Sequence, residues 1–127
     1  MISIGDTRKY KIVVTKADFA AFNGKIVHEV YSTYALTRDA EWTGRLFVLE
    51  LKAEDEEGIG SFVNITHHSP AFIDDEVCIT AELTKLDGKS VECNIIAAVK
   101  NRIIATGKTG QKILKKEKIK NLFDSYK

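Results

Sequence analysis

The sequence has no run of apolar residues that reaches the roughly 18 to 20 residues needed to cross a bilayer. The stretch from Met1 to Asp6 also lacks a charged region followed by an apolar core, the pattern of a secretory signal. Basic residues number 19 and acidic residues 18, so the chain lacks the positive field of a dedicated nucleic-acid binder. We therefore expect a cytoplasmic protein whose partners are small molecules or proteins, with no membrane or nucleic acid among them.

Cysteine is scarce, with only Cys78 and Cys93 in the chain. The segment Lys85–Lys89 predicts a hairpin with a three-residue loop in which Gly88 takes a positive φ. The pairing of Lys85 with Lys89 implies four further pairs: Leu83 with Val91, Ala81 with Cys93, Ile79 with Ile95, and Val77 with Ala97. Cys78 then lies on the opposite face of the hairpin from Cys93, too far for a disulfide. We expect two free, structural cysteines and a reducing compartment.

Signals for metal and nucleotide binding are also missing. His67 and His68 are neighbours whose side chains diverge in a strand, and neither the cysteines nor His28 has a recognised zinc-ligand spacing. The segment Thr106–Thr109 is similar to the end of a phosphate-binding loop, but Arg102 occupies the position that requires a glycine. We expect neither a metal nor another cofactor.

One long helix is predicted among several strands. From about Leu36 to Ala53, apolar or small residues repeat at helical spacing, at Ala40, Gly44, Phe47, Val48 and Leu51. The acidic segment Glu54–Gly58 then predicts a solvated loop. Strands are predicted at Tyr10–Val14, Lys25–Thr33, Gly60–His67, Glu76–Lys85, Ser90–Val99 and Ile103–Ile113, with a turn at Asn23-Gly24.

This order of elements indicates an α+β fold, an antiparallel sheet with a helix on one face. A chain of 127 residues is the size of one ordinary domain. We assign residues 1–113 to that domain. Residues 114–127, with apolar side chains among lysines, are expected to form a basic C-terminal tail or a short amphipathic helix.

Thr33, Glu41 and His67 are the strongest catalytic candidates, because a hydroxyl, a carboxylate and an imidazole together suit thioester hydrolysis. Glu41 follows Thr33 by eight residues without an intervening Gly or Pro, which predicts Thr33 near the start of the helix. His67 ends an alternating run, where a side chain can face a cleft. Taken singly, each has a structural explanation: a helix cap or strand residue, a solvated helix residue and a strand-end residue.

These three residues, in this order, resemble the catalytic residues of the fluoroacetyl-CoA thioesterase-like family of hot-dog-fold thioesterases. Trp42 follows the glutamate as in the type member, and the segments Ile65–His67 and Thr80–Leu83 match the family in order and register. The resemblance covers roughly residues 5 to 113.

The resemblance implies a hot-dog fold, an antiparallel sheet wrapped around one long central helix. It also implies an acyl-CoA or other acyl thioester substrate and a homodimer with the active site at the subunit boundary. Glu41 would attack the thioester carbonyl or direct water onto it, His67 would polarise or protonate the departing thiol, and Thr33 would position them. Two alternatives stay open: a non-catalytic hot-dog module that binds an acyl thioester or a partner protein, and a hot-dog dehydratase.

Departures from the family concern the substrate pocket. Gly24 and Val27 stand where the type member has phenylalanines that cover its pocket, and Tyr34 replaces a small residue or proline after the threonine. We expect Tyr34, Val27 and Gly24 to contribute to substrate binding. Arg38 and Asp39 replace apolar helix residues, which predicts different packing of the helix.

Overall fold

A computed structural model describes residues 1–127, which form seven strands and two α-helices. The strands are β1 Thr7–Val13, β2 Phe19–Phe22, β3 Lys25–Tyr31, β4 Glu56–His67, β5 Glu76–Asp87, β6 Ser90–Val99 and β7 Arg102–Lys115. The helices are α1 Thr33–Leu51 and α2 Lys116–Asp124, and a short 3-10 helix spans Lys16–Asp18. Five strands form one antiparallel sheet in the order β1-β5-β6-β7-β4, and β2 and β3 form a separate hairpin.

Helix α1 contacts all five strands of the main sheet, so the sheet wraps around it. The helix begins at Thr33 rather than near Leu36, because Ser32 caps it by accepting a hydrogen bond from the backbone N–H of Ala35. The predicted stripe is confirmed at its centre: Ala40, Gly44, Phe47 and Val48 are buried. The strands supply the other half of the core through alternate residues, such as Val77, Ile79, Ala81 and Leu83 of β5.

The predicted register of the β5–β6 hairpin is wrong by two residues from Cys78 to Leu83 and by three residues next to the turn. Asp87 pairs with Ser90 around a two-residue turn, and Leu83 lies opposite Cys93 rather than Val91. The hairpin contains an irregularity at Thr84 that the sequence pattern did not reveal. Because the shift is an even number of residues from Cys78 to Leu83, the same side chains of that segment still face the core.

The sequence predicted that the acidic segment after α1 forms a loop, but part of this segment belongs to a strand. Strand β4 already begins at Glu56, which pairs with Lys115. The Glu57 carboxylate accepts a 2.9 Å hydrogen bond from Arg45 and lies 3.9 Å from Lys52. Cations on α1 and just after it thus offset the acidic charge and allow the strand to start here.

The β2–β3 hairpin is the part of the fold that the sequence predicted least well. Its turn at Asn23-Gly24 is confirmed, with φ of 53° and 78° at the two residues, the backbone that a tight hairpin turn requires. Strand β2 was missed because it has only four residues and pairs with β3 through two register shifts. Strand β3 ends at Tyr31, since Ser32 already caps the helix.

Residues 116–124 form the helix that was one of the two expected structures for the C-terminal segment. Helix α2 buries none of its residues. Neither helix is long and apolar enough to cross a membrane.

Candidate active site

The start of α1 and the end of β4 bring two of the three predicted catalytic residues together. Thr33 Oγ1 lies 3.0 Å from His67 Nδ1, within hydrogen-bond distance. The two side chains line a shallow, open cavity of about 330 Å³, together with Val30, His68, Ser69 and Pro70. Ser32, not Thr33, caps the helix, so the Thr33 hydroxyl is available for the imidazole.

His67 has one ring nitrogen without a partner. Its Nε2 atom is buried and makes no hydrogen bond. Burial lowers the pKa of His67, and the nearby His68 lowers it further, while the Ser69 backbone acts in the opposite direction. The imidazole is therefore mainly neutral at neutral pH and can accept a proton.

His68 serves a different contact, as expected for neighbours in a strand. Its Nε2 atom lies 2.8 Å from Thr106 Oγ1. His67 is thus the histidine that pairs with the hydroxyl at the start of the helix.

The first turn of α1 contains backbone N–H groups that have no partner within the helix. The Ser32 side chain accepts from the N–H of Ala35, and the Ser32 carbonyl accepts from the N–H of Leu36. The N–H groups of Thr33 and Tyr34 are the other donors of this turn. Such donors, with the positive end of the helix dipole, favour an anionic oxygen.

Glu41 lies in a separate groove of the same chain, lined by Arg38, Glu41, Trp42, Arg45, Gly58, Gly60 and Gln111, with a volume of about 300 Å³. Glu41 lies eight positions after Thr33 in the helix, which corresponds to about 12 Å along the axis. The Glu41 carboxylate lies against Gly60, where a Cβ would come 2.5 Å from Oε2. Gly60 and His67 are themselves about 23 Å apart along β4. Within one chain, Thr33 therefore contacts His67, whereas Glu41 lies in a different groove.

The three residues expected to bind substrate lie on or beside the β2–β3 hairpin. Gly24 is in its turn, and Val27 is an exposed residue of β3. The Tyr34 hydroxyl contacts the backbone of β2 at Phe19 and Ala21. None of the three lines the Thr33–His67 cavity, to which the hairpin contributes only Val30.

A buried polar network next to the site was not predicted. Tyr31 donates a 2.6 Å hydrogen bond to Asp39, and Arg38 binds both Asp39 and Asp18. Asp39 is only 5% exposed. The sequence did mark Arg38 and Asp39 as charges at positions that are apolar in the type member, but it gave no sign of their partners. The network joins the 3-10 helix, β3 and α1 around Ser32 and Thr33. No three His, Cys, Asp or Glu side chains converge as a metal site.

The geometry can be compared with known families and structures. The sequence model of the family described as fluoroacetyl-CoA-specific thioesterase (FlK) matches residues 14–117. A hypothetical protein from Thermus thermophilus, described as a thioesterase superfamily member, shares 33% identity and a TM-score of 0.93, over 99% of this chain and 93% of that chain. The fluoroacetyl-CoA thioesterase FlK has 17% identity and a TM-score of 0.89, over 100% and 98% of the two chains.

A third solved structure, a hot-dog-like protein from Thermanaerovibrio acidaminovorans, has 20% identity and a TM-score of 0.83, over 98% of this chain and 93% of that chain. A comparison with curated proteins found no match. The predicted hot-dog fold is confirmed by these structures and by the sheet wrapped around α1. Since the family match extends over most of the sequence, this chain belongs to the family of the fluoroacetyl-CoA-specific thioesterase FlK.

Proposed function

We propose that this protein hydrolyses an acyl-CoA-like thioester to a carboxylic acid and a free thiol, with Thr33, Glu41 and His67 as its catalytic residues. The observation that carries this proposal is the contact between Thr33 and His67. Burial lowers the pKa of the imidazole, which favours its neutral form, and its buried Nε2 atom has no hydrogen-bond partner. A buried polar atom without a partner is rare in folded proteins, and reactive groups are one reason for it. Family membership supports the thioesterase class.

The chemistry follows from the groups at hand. Glu41 adds to the thioester carbonyl carbon itself or takes a proton from the water that does. The carbonyl oxygen becomes an oxyanion, which the N–H groups at the start of α1 stabilise. The C–S bond then breaks and releases a thiolate. Its proton comes from the water that is consumed and passes through the neutral His67, which accepts a proton at one ring nitrogen and donates one from the other. In the direct-attack route, water subsequently cleaves the acyl–Glu41 anhydride, so both routes give the same acid and thiol.

A dimer explains how Glu41 reaches the other two residues. Strand β4 is at the edge of the sheet, with one edge unpaired over 12 residues, a surface suited to pairing with another strand. Antiparallel pairing of two β4 strands about a twofold axis between Val63 and Asn64 sets Gly60 opposite His67 of the partner subunit. Glu41 lies against Gly60. Each active site would then combine Thr33 and His67 of one subunit with Glu41 of the partner subunit.

Subunit complementation tests this shared site. Glu41→Gln and His67→Ala chains carrying different affinity tags are co-expressed, and the mixed dimer is isolated through both tags. One of its two sites has every catalytic group, so we expect about half of the wild-type turnover from a symmetric dimer, while each parent variant is inactive. A doubly tagged wild-type dimer is the control. A mixed dimer as inactive as its parents would exclude the shared site.

Thiol release from acyl-CoAs of increasing chain length tests the activity itself. Glu41→Gln should lower turnover by a factor on the order of 10² or more, as expected for loss of a catalytic carboxylate. Glu54→Gln, at an exposed carboxylate outside the groove, is the matched control. Acyl-CoA binding without turnover by the wild-type protein would refute hydrolysis and favour the alternative, a non-catalytic binding module.

A further inference from the structure

Glu41 shares its groove with two arginines, yet its carboxylate forms an ion pair with neither of them. Arg38 lies three residues before Glu41 on α1, and Arg45 lies four residues after it. These spacings place the three side chains next to one another on the helix surface. A glutamate with an arginine four residues after it is also the order that favours pairing. The free state of the Glu41 carboxylate therefore needs a structural explanation.

Other acids bind both arginines of the groove. Arg38 donates to Asp39 and to Asp18, at 3.0 and 3.2 Å. Arg45 donates a 2.9 Å hydrogen bond to Oε2 of Glu57, and its side chain is only 27% exposed. The charge of each cation is thus matched by an acid other than Glu41.

Glu57 is fixed in the position from which it binds Arg45. Its Oε2 atom also accepts a 2.8 Å hydrogen bond from the N–H of Gly58, near the start of β4. This N–H and the Arg45 guanidinium lower the pKa of Glu57, and Lys52, 3.9 Å away, lowers it further. The carboxylate is therefore ionised at neutral pH and competes with Glu41 for the same guanidinium.

Arg45 lies within reach of Glu41 above two glycines of β4. A Cβ on Gly58 would lie 3.3 Å from Nη1 of Arg45, and a Cβ on Gly60 would lie 2.5 Å from Oε2 of Glu41. Positions two residues apart on one face of a strand are separated by about 6 to 7 Å. Since neither glycine has a side chain to separate the two groups, rotation of the long arginine side chain is enough to bring them into contact.

We propose that Glu57 is a positioning residue for thioester hydrolysis: it binds Arg45 and so keeps the guanidinium away from Glu41, whose carboxylate stays free to react. This proposal rests on the proposed thioesterase function. A carboxylate paired with a cation is a weaker nucleophile and a weaker base, because the cation stabilises its charged form. Glu57 does not line the groove itself and acts through Arg45.

Glu57→Ala tests this role in two measurements. A crystal structure of the variant should show the Arg45 guanidinium within ion-pair distance of the Glu41 carboxylate. With the acyl-CoA that wild type hydrolyses fastest, kcat should fall about fivefold, the effect expected when a partly exposed ion pair competes for the carboxylate. KM should stay within about twofold of wild type, because the pairing affects free and substrate-bound enzyme alike.

A double variant distinguishes this role from that of a structural ion pair. Arg45→Met removes the cation and keeps a long side chain. Its addition to Glu57→Ala should raise kcat about fivefold, to the value of Arg45→Met alone, because no guanidinium is left to bind Glu41. If the ion pair served only the fold, removal of its second partner would restore no turnover, and that result would overturn the proposal.

Glu56→Ala is the matched control. It removes the same charge from the neighbouring residue, whose carboxylate accepts a hydrogen bond from the N–H of Ala53 rather than from Arg45. Its kcat should stay within about twofold of wild type.

Two further outcomes in Glu57→Ala would also overturn the proposal: an Arg45 guanidinium that stays away from Glu41, or an unchanged kcat. If wild type hydrolyses no thioester, the role in hydrolysis fails together with the proposed function. The crystal structure of the variant still decides whether Glu57 keeps Arg45 from Glu41.

Discussion

The hydroxyl of Tyr31, at the end of β3, donates a 2.6 Å hydrogen bond to Oδ2 of Asp39 in the second turn of α1. The bond spans the residues that lead from strand to helix, among them Ser32 and Thr33. Burial raises the pKa of the Tyr31 hydroxyl, and its bond to Asp39 raises it further, so Tyr31 stays a donor. The geometry of the helix start thus depends on a buried polar pair outside the cavity.

Tyr31→Phe should lower the free energy of unfolding by about 1.5 to 3 kcal/mol, the usual effect of losing a hydrogen bond to a charged group. The ring volume is unchanged, so no cavity term is expected. Urea denaturation measures the difference, with Tyr126→Phe as the exposed control. A loss no larger than that of the control would mean that Arg38 alone satisfies Asp39.

Thr33→Val should reduce turnover by a factor on the order of 10², because it removes the hydroxyl from the imidazole and keeps the shape of the side chain. The fold should be unaffected, since Ser32 caps the helix. Thr37→Val is the matched control: its hydroxyl donates to the backbone carbonyl of Thr33 one turn away, and Thr37 itself does not line the cavity. Equal rates in the two variants would argue against a catalytic role for Thr33.

His67 should titrate below the value of about 6.5 that is typical of an exposed imidazole. NMR of the imidazole resonances, assigned by comparison with His67→Gln, measures this directly. Because the folded-state pKa is the lower one, the unfolded chain takes up the proton first as the pH falls below about 6.5, and the folded state loses stability there. A measured pKa above 6.5 would contradict the burial argument.

Gly44→Ala should destabilise the protein by about 1 to 3 kcal/mol through overpacking, although alanine favours helices. A Cβ at this position would come 2.6 Å from Oγ1 of the buried Thr109 on β7. Thr109→Ala removes that atom, so the double variant should be more stable than the sum of the two single effects predicts. Strict additivity would show that the two residues do not press on each other.

The sequence predicted the framework of the fold because that part depends on local periodicity. The stripe around Ala40 and Phe47 and the alternation in β5 both report which side of an element faces the core. The predicted β5–β6 register was wrong because turn length and the irregularity at Thr84 depend on backbone geometry. Backbone geometry does not change the alternation of polar and apolar residues in the sequence. An even shift keeps the same face, so the alternation could not reveal the error.

The candidate site was predictable only in part. The contact of Thr33 with His67 required the resemblance to a family, since neither residue stands out in its own segment. The separation of Glu41 from His67 follows from where α1 crosses β4, which no spacing in the sequence encodes. The Tyr31–Asp39 pair and the hydrogen bonds of Tyr34 to β2 were not predicted, because hydrogen bonds between distant elements have no local signature in the sequence.

Because Ser32 caps α1, helix capping and the contact with His67 are made by two different hydroxyl groups that are adjacent in the sequence. Ser32 stabilises the helix, and the hydrogen bond of the neighbouring Thr33 side chain goes to the imidazole of His67. Natural variation at Thr33 is therefore free of a folding constraint. Under the proposed function, a single substitution at Thr33 would convert a thioesterase into a folded protein that binds thioesters without cleaving them.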